Sequence, residues 1–175
     1  MVAPIDVLDT AVKIGLGALI SGLAAYWVAK LNHDKTAEKE RAQRRRDMLE
    51  TIAEQVGTFN QVALKHWAFV FNWLKFTPPT EQMTDEVRIE LTKLRSELID
   101  SFKELINAEV KLLLIGEVKC QKLLREYGGH ATIYRDEVVI KRNVTVQLLN
   151  KYKEDLDTKR EAFFTELSNV YKNLE

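Results

Sequence analysis

The chain has 175 residues, with 26 Lys/Arg balanced by 26 Asp/Glu, 46% apolar residues, seven glycines, three prolines and one cysteine. So few helix breakers in so charged a chain point to an all-α protein. Zero net charge, with residues 1–46 carrying eight basic against five acidic side chains and the excess beyond them acidic, excludes a bulk nucleic-acid binder. The single Cys120 cannot form an intramolecular disulfide, and it suits a reducing compartment as a small buried hydrophobe.

Pro4, Asp6 and Asp9 suit the first turn of a helix, where proline needs no N–H partner and carboxylates meet the positive end of the dipole. Ile14 to Ala29 follows, sixteen residues without a charge between Lys13 and Lys30. Such a helix rises ~24 Å. Adding Val12 and Leu31, with snorkelling lysines, brings it to ~30 Å, the thickness of a hydrocarbon core. The spacing therefore predicts a single-pass transmembrane helix within residues 1–31; a buried apolar helix of a soluble protein is the alternative. Only Lys13 precedes the stretch, whereas Lys30, Lys35, Lys39, Arg41, Arg44, Arg45 and Arg46 follow it. Retention of basic residues on the inner side places the N-terminus outside and the rest in the cytoplasm, as in a bacterial inner membrane. The acidic residues at 6 and 9 argue against a cleaved signal. Gly17, Ser21, Ala25 and Ala29 recur every fourth residue, with Ala18 and Gly22 alongside. This small-residue stripe suits self-association or packing on a partner helix in the membrane.

Residues 32–47 are polar on every face and predict a solvated juxtamembrane connector helix. Arg41, Arg44, Arg45 and Arg46 in it are candidates for anionic lipid head groups, or a topology signal alone. From Met48 a threes-and-fours period begins, with Leu49, Ile52, Val56, Phe59, Ala63, His66, Val70 and Leu74 on one seam, which predicts a coiled-coil-like helix over 48–76. Trp67, Phe69, Phe71, Trp73 and Phe76 do not share one stripe. They form either the packed tip of a bundle or a docking patch for a protein partner.

Thr77-Pro78-Pro79-Thr80 predicts a reversal, since neither ring donates a backbone hydrogen bond and the first disfavours helix before it. A second helix is expected over 81–126, with Val87, Leu91, Leu94, Leu98, Phe102, Leu105 and Leu112 inward and Leu112–Ile115 apolar all round. The glycine pair Gly128-Gly129 predicts a second reversal, and a third helix is expected over 132–174. Together these give a cytoplasmic three-helix antiparallel bundle over 48–175. The first helix is the shortest, which leaves Leu112–Tyr127 and Ile133–Ile140 as an apolar hairpin in need of a cover. That cover is expected to be a second copy, another subunit or the membrane interface; a homo-oligomer is the favoured expectation.

No glutamate has a histidine three residues on, and no zinc-ligand set or full phosphate-loop fingerprint occurs, so neither an enzyme nor a cofactor or metal site is expected. An N-terminal span followed by a charged helix resembles, in layout alone, the peripheral-stalk subunits of rotary ATP synthases. The breaks at Pro78-Pro79 and Gly128-Gly129 and the tryptophan-rich segment depart from that single extended helix, and no functional residue is carried over. Two functions fit the pattern. One is a membrane-anchored, oligomeric scaffold or adaptor docking a cytoplasmic partner. The other is a membrane-acting effector, of the phage lysis, exclusion or anti-phage kind, whose transmembrane helices cluster and permeabilise the bilayer.

Overall fold

The computed structural model describes the backbone of residues 4–77, 83–140 and 144–174, and side chains at 30, 36, 38–77, 83–139 and 144–174. Among the described residues there are four α-helices, one π-helical segment and no strand, so the protein is all-α. Helix α1 runs Pro4–Phe76, α2 Asp85–Leu114, α3 Val118–Tyr134 and α4 Val146–Lys172, with the π-helical segment Arg135–Ile140 extending α3.

The chain divides into two compact units, Met1–Arg44 and Arg45–Glu175. In the first, the backbone is helical from Pro4. The side chains of the uncharged stretch, and with them the stripe Gly17, Ser21, Gly22, Ala25, Ala29, lie outside the described residues. Among the described residues no helix is long and apolar enough to cross a membrane.

The second unit is an up-down-up-down bundle. The α1 seam is buried as its spacing predicts: Leu49, Ile52, Val56, Phe59, Ala63, His66 and Val70 are all at most 7% exposed. Helix α2 runs back along it, with Lys65 on Glu97 at 3.0 Å and Gln55 donating to Glu104 at 3.3 Å. Its start is capped by Thr84, whose hydroxyl accepts from the N–H of Val87, and Asp85 and Glu86 favour the positive end of the dipole.

The first correction concerns the expected second helix over 81–126, which stops at Leu114. The Gly116 N–H bonds Leu113 O at 3.1 Å and the Glu117 N–H bonds Leu112 O at 2.9 Å, with Gly116 at φ +77. This is a Schellman termination, and its left-handed residue costs glycine nothing. The chain turns here, and α3 climbs alongside α1, with Tyr127 donating to Asn60 Oδ1 at 3.3 Å and Tyr134 bonded to His66.

The second correction concerns Gly128-Gly129, which does not reverse the chain: both glycines lie inside α3. The third expected helix over 132–174 is instead the end of α3, the π-helical segment and α4. Thr145 caps α4 by accepting from the N–H of Leu148 at 3.2 Å. Helix α4 then descends to the base, marked by Trp67 on the Leu149 carbonyl, Lys159 on Glu126, Lys119 on Glu166 and Tyr171 on Glu50.

The bundle thus has four helices, not three, and the expected hairpin is covered in part by this chain itself, with Leu113, Leu114, Val118 and Ile133 left 50–74% exposed. Leu124, Tyr134, Val138 and Val139, assigned to it, are buried in this chain's own core, and Cys120 is fully buried with them. Burial, with Glu117 and Glu166 nearby, pushes the Cys120 thiol up to about 11. Replacing Gly116 with alanine should destabilise the bundle by about 1–2 kcal/mol, the cost of a side chain in left-handed backbone. A Cβ there meets no neighbour within 4 Å, so a denaturant titration showing no loss would mean that this turn is not formed.

Candidate functional site

The end of the bundle where α1 stops gathers the aromatic residues singled out in the sequence. They divide by what holds them. The Trp67 and Phe71 rings stack at 4.9 Å and 22°, and Trp67 Nε1 donates to the Leu149 carbonyl on α4 at 3.1 Å. Lys153 on α4 lies over the Trp67 ring, 5.6 Å from its centroid. Trp67 therefore fastens α4 to α1, and Phe69 and Phe71 are half-buried against the same core. Phe76, by contrast, is 73% exposed, with the Lys75 ammonium 5.4 Å from its ring centroid. Trp73 stands between these cases, half-buried on the wall of a cleft of about 130 Å³. Val70, Leu74, Met83, Leu91, Val138 and Val144 complete its apolar lining, and Arg95 supplies one guanidinium.

One turn below Val70 lies a polar layer around His66, the one polar member of the α1 seam. His66 is fully buried, its Nδ1 2.7 Å from the Tyr134 hydroxyl and its ring edge-on to the tyrosine. Tyr134 in turn meets Tyr152 of α4 edge-on, and Arg95 of α2 lies close enough to act on the imidazole through its charge. All four helices meet here, immediately before the π-helical segment. Buried His66 Nε2 has no hydrogen-bond partner among the described atoms. Burial first, and the Arg95 charge second, hold its pKa down to about 4. Of the other buried polar residues, Ser101 donates to the Leu98 carbonyl and Gln121 to Glu109.

The arginine run splits as well. Arg45 pairs with Glu117 in the α2–α3 turn, and Arg46 donates to the Leu174 carbonyl at 2.8 Å, at the negative end of α4. Both serve the base of the bundle. Arg41 and Arg44 are exposed, Arg44 in a 3.5 Å pair with Glu40. Among the described residues no group of His, Cys, Asp or Glu is placed to hold a metal ion. No protein-family model, no curated protein and no solved structure matches this chain.

Two expectations follow. The His66 pKa is depressed in the fold, so above about 6.5 the imidazole is neutral both folded and unfolded and costs nothing. As pH falls from there toward about 4 the unfolded chain takes up a proton that the folded one refuses, and stability falls by about 3 kcal/mol. Denaturant midpoints measured across this range should slope for the wild type and flatten for His66→Gln; equal slopes would mean that His66 is not held neutral. Trp67→Ala should cost about 2–3 kcal/mol through lost packing and the lost bond to the Leu149 carbonyl. Phe76→Ala should stay within about 0.5 kcal/mol, and the reverse order in thermal unfolding would invert the division between anchor and free surface.

Proposed function

We propose that this protein is a non-enzymatic, membrane-anchored scaffold, single-pass with its N-terminus outside, that assembles with itself and holds a cytoplasmic protein partner at the aromatic end of its bundle. The observation that carries this reading is that one helix, α1, contains both the uncharged stretch 14–29 and the aromatic segment 67–76. The exposed Phe76 ring and the cleft beside half-buried Trp73 support the docking end. With Trp67 committed to α4, docking falls to Trp73 and Phe76, with Phe69 and Phe71 behind them. Contact with anionic lipid falls to Arg41 and Arg44, since Arg45 and Arg46 are engaged at the base.

Alkaline carbonate extraction of cell membranes tests the anchor. The full chain should stay in the pellet, and the double variant Leu19→Arg, Leu23→Arg should move to the supernatant, each arginine costing about 3 kcal/mol at mid-bilayer. A tag at the C-terminus should resist protease in spheroplasts. Release of the wild type by carbonate, or cleavage of the tag in intact spheroplasts, would overturn the anchor or its orientation respectively.

A further inference from the structure

Helix α2 carries two seams. One is buried in the bundle, through Leu91, Leu94, Leu98, Leu105, Ala108 and Leu112. The other is exposed: Ile99, Ile106, Val110 and Leu113 are each 50–61% exposed and spaced by sevens, fours and threes, the period of a helix that packs on another helix. With Leu114 and Val118 at the base, these side chains present roughly 600 Å² of apolar surface. That is most of the ~800 Å² per partner that a stable interface buries, and it is at the upper limit of what a monomer leaves open.

Beside this ridge runs a groove of about 330 Å³ between α2 and α3, lined by Phe102, Leu105, Ile106 and Leu124, floored by Gly128 and Gly129, and edged by Thr132 and the Glu109–Arg125 ion pair. Two adjacent glycines weaken a helix relative to alanine, because they lose more conformational freedom on folding. Nothing within this chain requires them. A Cβ at Gly128 would meet Leu105 Cδ1 at an ordinary 3.7 Å, and one at Gly129 would meet nothing within 4 Å. Neither has the left-handed backbone that Gly116 has. What they provide is room for an approaching surface.

We propose that the α2–α3 face is a homodimer interface in which Ile106 of each copy seats on the Gly128-Gly129 floor of the other. The occupant is a second copy because ridge and groove lie side by side at one level of the same face: Ile106 lines the groove that the two glycines floor. A two-fold axis parallel to the helices and centred between α2 and α3 sets α2 of one copy against α3 of its mate without changing height. Both knobs then meet both holes, the condition for an isologous contact. The same axis leaves Arg45 of both copies at one end.

This names the contact for the self-assembly proposed above and rests on that part of the reading. Light scattering of the detergent-solubilised full chain should give a dimer, with Ile106→Glu and Gly129→Trp both monomeric at the same concentration and unchanged in far-ultraviolet circular dichroism. Ile89→Glu changes an equally exposed isoleucine, 70% accessible and ~25 Å along the same helix from Ile106, and it should remain a dimer. As a gain-of-signal test, Ile106→Cys and Gly129→Cys chains, mixed and oxidised with diamide, should form a disulfide-linked dimer. A monomeric wild type would overturn both this interface and the self-assembly. A dimer that survives both Ile106→Glu and Gly129→Trp, or mixed chains that do not cross-link, would overturn this interface alone and leave a contact elsewhere.

Discussion

A bundle buries apolar surface only where its helices overlap in length, and one left-handed residue makes the overlap possible here. Had the helix continued through Gly116, the apolar turns after it would have run past the end of the α1 seam near Leu49 with nothing to pack on. Terminated there, the next 23 residues, Val118–Ile140, return along α1 as a third strand of the bundle, ~35 Å long at helical rise. That length suits the 30 residues of α2 and the 27 of α4. The two hydrogen bonds around Gly116 are ordinary in energy. Their weight lies in deciding which seams meet.

Once the chain has turned, side chains set the register. Lys65–Glu97, Lys119–Glu166 and Lys159–Glu126 each link two helices at the bundle surface. Exposed pairs of this kind contribute little stability individually, but together they disfavour slippage. The specificity of the interior comes from the His66–Tyr134 layer, where an imidazole and a tyrosine hydroxyl bond one another in a largely apolar core. A slip of one turn would separate them and bury two unsatisfied groups, at a cost of about 1–3 kcal/mol each.

The α1 seam from Leu49 to Val70 was legible in the sequence because its period is regular and its charged residues fall outside it. Breaks were harder to read. Leu112–Ile115, apolar all round, read as helix covered on several sides, and this drew attention from the glycine that follows. In the structure Leu112 is buried, whereas Leu113 and Leu114 are 52% and 74% exposed, because the run is the last turn before a Schellman cap. Gly128-Gly129 carried the stronger stop signal by local propensity, yet tertiary packing of α3 keeps both helical. His66 and Tyr134 are 68 positions apart, a pairing that becomes visible only once the turn at Gly116 is known. The aromatic cluster is recognisable in the sequence as a group. Its division into Trp67, which binds α4, and Phe76, which is free, depends on where Leu149 arrives, and no local pattern encodes that.

The proximity of α3 to α1 is the feature on which the rest turns, and nuclear Overhauser contacts between the rings of His66 and Tyr134 report it most directly. Selective labelling of histidine and tyrosine in the full chain should show cross-peaks between these two side chains, whose ring centroids are 5.7 Å apart. The contact should vanish in Tyr134→Leu. Absence of any His66–Tyr134 contact in the folded wild type, with the helix unbroken through Gly116, would contradict the four-helix account and restore a long second helix with an uncovered apolar end.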